Sequence, residues 1–321
     1  MQYVGLHTQQ RRNNFRSILL LCLFPCLVLL LVLLFSVLLL QFTADIQGGV
    51  LWTESLLLAQ NLAPIVLICT AVWFVIAYFA NTSIIRSATG ARPLQRMENK
   101  RVYNLVENLC MTKGMSMPKI NLIEDDSMNA YASGINNRTY TVSLSRGIIN
   151  HLDDDELEAV IAHELIHIRN RDVRLLIVSI VFVGIFAMLA QIAFRLLLHA
   201  PKGRSNNNGK GGGGIFIMYL IVLLVAGIGY FCSILMRFAI SRKREYMADA
   251  GAAEMTRQPL ALANALRKIS KNPNIEAITR DDVAQLFIEH PRGKKKSSLG
   301  ISGLFATHPP IEKRIAILEQ F

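Results

Sequence analysis

Four long apolar runs constrain this chain more than any other feature. Ile18 to Phe42 contains no charged residue and exceeds the roughly 20 residues a helix needs to cross a bilayer. Leu56 to Ala80, Leu175 to Leu198 and Ile215 to Ile240 follow, the third interrupted by Gln191 and Arg195 and the fourth by Gly227, Gly229 and Arg237. Together they account for a 321-residue chain that is 52% hydrophobic, with mean hydropathy +0.36, which a soluble domain of this size does not need. The first run also invites a cleaved signal peptide. It is much longer than the roughly 7–15-residue apolar core of such a peptide and no small-x-small site follows it, so a retained anchor is expected. Pro25 and Pro64 fit membrane helices, which tolerate proline. The third and fourth runs flank a glycine- and asparagine-rich loop, 201–214, and read as a hairpin that either spans the membrane or lies shallow in it.

Basic residues orient these runs. Arg11, Arg12 and Arg16 precede the first, Arg86, Arg92, Arg96 and Lys100 follow the second, and the segment between has Asp45 and Glu54 but neither Lys nor Arg. The N-terminus and the polar bulk of the chain are therefore expected on the cytoplasmic side, with Arg242, Lys243 and Arg244 in agreement and Lys202, Arg204 and Lys210 opposed. The net charge of +11 lies beside the apolar runs and lacks interleaved aromatics, which points to an anionic lipid surface and away from nucleic acid. Four of the five cysteines, Cys22, Cys26, Cys69 and Cys232, fall in apolar runs and Cys110 in an amphipathic helix, which excludes a disulfide framework or a paired-cysteine zinc site.

The chemistry is concentrated in His163-Glu164-Leu165-Ile166-His167. Positions i and i+4 share a helical face, so the two imidazoles can grip one metal ion with Glu164 beside it, the minimal set for metal-assisted peptide hydrolysis. Asp153 and Glu156 have capping-box spacing, and Leu157, Val160, Ile161, Leu165 and Ile168 form an apolar stripe, so the motif sits well inside a helix with a buried side. A catalytic zinc usually takes three protein ligands and keeps one position open. Glu245 and Asp249, again i and i+4, offer a third ligand and a carboxylate for the outer nitrogen of a ligand histidine; by composition alone they also read as surface charges among Arg242, Lys243 and Arg244.

The H-E-x-x-H helix, the segment Ser241-Arg242-Lys243-Arg244-Glu245-Tyr246-Met247-Ala248-Asp249 and the closing Thr307-His308-Pro309-Pro310-Ile311-Glu312-Lys313-Arg314 together resemble the HtpX-type integral-membrane zinc metalloproteases, relatives of the CaaX prenyl proteases. The resemblance implies one zinc per chain held by His163, His167 and Glu245, with Glu164 as the catalytic base and Asp249 behind the ligands. It also implies that His308 lies near the site and stabilises the oxyanion while Arg314 braces it. A fourth motif, Asn129-Ala130-Tyr131-Ala132-Ser133-Gly134, lies between two expected strands, 119–124 and 139–145. In the family this stretch runs along the cleft, where its backbone pairs with an extended substrate; from the residues alone Asn129 reads equally as a polar strand end.

The expected fold is a mainly α membrane protein: four apolar helices plus a cytoplasmic zincin-like α+β metalloprotease domain with a small sheet. The expected segments are 1–85 with the first two spans, 86–173 with the edge strand and metal helix, 174–240 as the membrane hairpin, and 241–321 with the third ligand and the His-Pro-Pro segment. An amphipathic helix on Val102, Leu105, Val106 and Leu109 ends at Gly114, Pro259 starts another, and Pro309 or Pro310 a last one. The expected activity is that of a zinc endopeptidase acting on protein or peptide substrates, misfolded membrane proteins foremost, in a bacterial inner membrane, with self-cleavage as a further capacity. A CaaX-type processing protease and an inactive scaffold with a protease fold are the alternatives. Apart from Arg195 and Arg237 the runs lack ionisable residues, which argues against a transporter.

Overall fold

The computed structural model describes residues 6–44, 49–199, 211–238, 243–275, 286–288 and 309–321. Two compact units emerge, one of Ile18–Ala77 and Val178–Arg237, the other of Met1–Ser17, Tyr78–Ile177 and Phe238–Phe321.

The first unit consists of the central parts of four helices, α1 (Leu6–Thr43), α2 (Gly49–Thr89), α6 (Asp172–His199) and α7 (Gly211–Phe238), each containing a stretch long and apolar enough to cross a membrane. Large apolar side chains such as Leu30, Ile65, Ile68, Val72 and Phe231 stay exposed, a surface that water would not tolerate over four helices but lipid would. Inside the unit Phe24 stacks on Phe182 with ring centroids 3.9 Å apart. Gly229 makes room for a neighbouring ring: a Cβ there would lie 2.4 Å from Phe186. One sequence expectation needs correction. Residues 211–214, assigned by composition to the loop, belong to α7, because a glycine costs only about 1 kcal/mol in a helix that each added residue extends by one hydrogen bond.

The second unit is α+β. Its mixed sheet has the order β1-β2-β4-β3, with β1 Ala91–Pro93, β2 Lys119–Ile123, β3 Ala130–Ser133 and β4 Thr141–Ser145; β2 and β4 are parallel and the other pairs antiparallel. Sequence anticipated β2 and β4, whereas β1, three residues ending in proline, carries no periodicity to read. Between β1 and β2 lies α3 (Lys100–Lys113), capped by the Asn99 side chain and closed by Gly114 at φ 62°. Ser145 ends β4 and caps α4 (Arg146–His151).

The core helix is α5 (Asp154–Arg169). It starts with the expected capping box, Glu156 N–H donating to Asp153 at 2.8 Å and Asp153 N–H to Glu156 at 3.1 Å. Burial extends nearly around it, since α8 (Lys243–Thr256), α9 (Pro259–Ile269) and the sheet all pack on it. Leu157, Val160, Ile161 and Leu165 are completely buried, each contributing about 1.5–3 kcal/mol of apolar transfer. The last helix, α10 (Ile311–Leu318), follows Pro310 and packs on α9 and α8. The molecule is thus mainly helical, with four membrane-type helices and one small mixed sheet.

Candidate metal centre

Because His163 and His167 are four residues apart on α5, they project together and their Nε2 atoms lie 3.1 Å apart. Glu245 arrives from the first turn of α8, its carboxylate oxygens 3.8 Å from His163 Nε2 and 3.8 Å from His167 Nε2. All three side chains are buried or nearly so. Two imidazole nitrogens and a carboxylate oxygen 3–4 Å apart is the spacing of ligands that each stand roughly 2.0–2.2 Å from a common ion. Glu164, Glu245 and Asp172 bring carboxylates into the site, while Arg314 is bound to Asp249 and the buried Arg244 lines the cleft beside them. The donor set fits a divalent metal of the zinc type.

Each imidazole has a carboxylate behind it. Asp249, one turn after Glu245 on α8, places Oδ1 3.0 Å from His163 Nδ1. Asp172, in the first turn of α6, accepts from His167 Nδ1 at 3.1 Å. The α5–α6 turn that aims it holds Arg171 at φ 61°, a left-handed conformation that a side-chain-bearing residue adopts only under constraint. Arg314 of α10, fully buried, donates to both oxygens of Asp249 at 2.8 and 2.7 Å and to the Ile288 carbonyl at 3.1 Å. It thus meets the site through Asp249, and its Nη2 also lies 3.5 Å from His163 Nε2. His308 lies outside the described residues.

Burial is the largest single influence on His163, Glu164, His167 and Asp249, but it does not always prevail. It lowers His163 to about 4 and raises Glu164 to about 7, the latter also through the charge of Glu245. Burial also opposes a charge on His167, but Glu245 and Asp172 outweigh it and lift the ring to about 10. Burial likewise works against Asp249, which Arg314 nevertheless holds down at about 2.

The sheet edge completes the site. The backbone of Ala132 hydrogen-bonds the Glu164 carboxylate, so β3 holds that side chain. Tyr131 turns away, its hydroxyl 2.8 Å from Thr89 Oγ1. Asn129 is buried, its amide nitrogen donating to the Pro273 carbonyl and its Oδ1 accepting from Ala130 N–H. Beside Ala130 and Tyr131 lies another piece of this chain: Ile288 N–H donates to the Ala130 carbonyl at 2.9 Å, and Phe287 bridges Tyr131 in antiparallel fashion. Leu286, Phe287 and Ile288 then share a small cleft with Glu164, His167, Glu245, Val173 and Leu176, with room for little more than water. Asp172 and residues 286–288 were missed by sequence reasoning. An acidic residue five positions after His167 was the available signal for the first; the second has none.

The profile of peptidase family M48 matches residues 96–321. A protease HtpX homolog of Bacteroides fragilis is 66% identical over 324 residues, covering 100% of both chains. One from Dictyoglomus turgidum is 40% identical over 241 residues, covering 74% of this chain and 75% of its own. Among solved structures, S. mikatae Ste24p superposes with a TM-score of 0.48 at 20% identity, covering 80% of this chain and 58% of that one.

Proposed function

Since this chain belongs to peptidase family M48 and is a membrane-bound metalloprotease, we propose that its metal is zinc, that His163, His167 and Glu245 hold it, and that Glu164 is the general base. The observation that carries the reading is the convergence of His163, His167 and Glu245 within 4.8 Å, although Glu245 lies beyond two apolar helices in the sequence. When bound, the metal supplies Lewis-acid polarisation of the scissile carbonyl and a water acidified toward a pKa of about 7. Glu164, held by the Ala132 backbone, takes the proton of the attacking water and delivers it to the leaving amine nitrogen. Asp249 and Asp172 orient the two imidazoles, and Arg314 keeps Asp249 charged and in place. By its motif His308 is assigned to the oxyanion.

Asn129 to Ala132 would align the substrate as an added strand. On β3 the Ala132 backbone already serves Glu164 and the Ala130 carbonyl serves Ile288, so an incoming peptide would take the place of Phe287 and Ile288. The apolar side chains lining that cleft suit extended apolar segments such as unfolding exposes. On this basis the substrates are misfolded or membrane-associated proteins, cut on the cytoplasmic side of a bacterial inner membrane, as the distribution of basic residues favours.

The test is to purify the wild type and Glu164→Gln in detergent, measure zinc in each, and follow cleavage of unfolded casein. One zinc in both, with hydrolysis by the wild type only, is the expected result. Zinc in both and hydrolysis by neither would overturn the assignment and favour a scaffold.

A further inference from the structure

A residue ahead of the first apolar run reaches into the metal centre. Asn13, on α1 and completely buried, donates its amide nitrogen to Asp172 Oδ1 at 2.6 Å and to the Asn170 carbonyl at 3.0 Å. The other oxygen of the same carboxylate, Asp172 Oδ2, accepts from His167 Nδ1 at 3.1 Å. The three side chains thus form one line from α1 to a ligand ring, Asn13 to Asp172 to His167. Asp172 is itself buried, at 1% exposure, so without Asn13 one of its oxygens would lose a donor away from bulk solvent.

The local backbone shows the same constraint. Asn170 and Arg171 make the turn between α5 and α6 with Arg171 in the left-handed region, and Asn13 binds this turn twice, at the Asn170 carbonyl and at the Asp172 side chain. Helix α1 is regular here, Ser17 returning a hydrogen bond to the Asn13 carbonyl at 2.8 Å, so the amide projects from a fixed support.

We propose that Asn13 is a positioning residue of the metal centre: it fixes the Asp172 carboxylate, which fixes the tautomer and plane of the His167 ring. The segment ahead of the first membrane run is then part of the catalytic apparatus. The inference rests on the reading of His167 as a zinc ligand. An outer partner of a ligand histidine typically changes metal affinity 10–100-fold.

The experiment is a double-mutant cycle on the full-length enzyme in detergent, with zinc affinity measured by competition against a chromophoric chelator and the visible spectrum recorded after cobalt substitution. Asn13→Ala is expected to weaken zinc binding about tenfold and Asp172→Asn roughly 10–100-fold, both with altered cobalt spectra. The double variant should be no weaker than Asp172→Asn alone, because Asn13 acts through Asp172. Arg12→Ala, at an exposed neighbouring position, should match the wild type. Wild-type affinity in Asn13→Ala, or losses that multiply in the double variant, would overturn the inference. If Asn13→Ala does not fold, Asn13→Ser, which retains a donor, should fall between wild type and Asp172→Asn, and wild-type affinity there overturns the inference equally. A wild type that binds no zinc refutes the ligand reading itself, which separates the two failures.

Discussion

Arg314 grips Asp249 at two points, Nε to Oδ2 at 2.8 Å and Nη2 to Oδ1 at 2.7 Å, and both side chains are sealed from water. Sixty-five residues separate them, so this pair ties α10, the end of the chain, to the carboxylate behind His163.

Breaking that pair from one side strands a charge. Arg314→Met should destabilise the α+β unit by about 3–5 kcal/mol, because Asp249 stays buried without its cation. Arg314→Lys should fall between Met and wild type, keeping the charge but losing the planar fork. Denaturant unfolding in detergent would show it. Equal stability of Arg314→Met and wild type would mean that Asp249 is neutralised by other means.

Glu245 and Glu164 are both buried carboxylates beside the histidines, yet they are assigned different work. Glu245→Gln should lose zinc by more than the roughly 10–100-fold typical of outer residues, while Glu164→Gln keeps it and loses about 10²–10⁴ in rate. Metal analysis together with casein turnover separates the two; zinc retained in Glu245→Gln would remove it from the ligand set.

Much of this was legible in the sequence, for reasons that also set the limit. The H-E-x-x-H helix, its capping box and the apolar runs are local patterns, in which spacing alone fixes which side chains share a face. Asp249 and Arg314 were reachable through motifs. The contact between Asn13 and Asp172 spans 159 residues and is polar at both ends, so no periodicity marks it. Strand β1 is too short to alternate, and Phe287 and Ile288 join β3 only through backbone atoms, which every residue has.

Gly147 lets the start of α4 lie against the backbone of Asp126 and Ser127. A Cβ there would lie 2.1 Å from the Asp126 carbonyl oxygen and 2.3 Å from that of Ser127, both backbone atoms that cannot swing aside. Gly147→Ala should cost about 1–3 kcal/mol and displace the segment leading into Asn129 and β3. Thermal unfolding and casein cleavage should both decline. Gly114→Ala, strained only by its φ of 62° and with open space around it, should cost about 1 kcal/mol and leave activity of the folded enzyme intact.

Cys110 offers an unfolding reporter. Burial raises its thiol to about 11 from an ordinary value of 9.0, so at pH 8 about a hundredfold fewer molecules carry the reactive thiolate than for an exposed cysteine. The thiol becomes reactive as pH rises toward 11 or when the unit opens. Alkylation at pH 8, followed by peptide mass spectrometry, should be slow in the native enzyme and should speed up in step with Arg314→Met destabilisation. Rapid labelling of the native protein would show that α3 opens independently of the core.

Ile288 occupies the Ala130 carbonyl, the backbone acceptor that the proposed substrate strand would need. Ile288→Pro deletes the N–H that occupies it, whereas Ile288→Ala keeps that N–H and trims the side chain. If substrates add to β3, the proline variant should bind an extended peptide more tightly, because a net hydrogen bond of about 0.5–1.5 kcal/mol no longer has to be broken first. That corresponds to a KM lower by roughly 2–10-fold, with kcat preserved while Arg314 still holds the Ile288 carbonyl. Ile288→Ala should change KM much less. A proline variant whose KM is unchanged, measured on the same peptide, would place the substrate on a different surface and leave Phe287 and Ile288 as permanent members of the sheet.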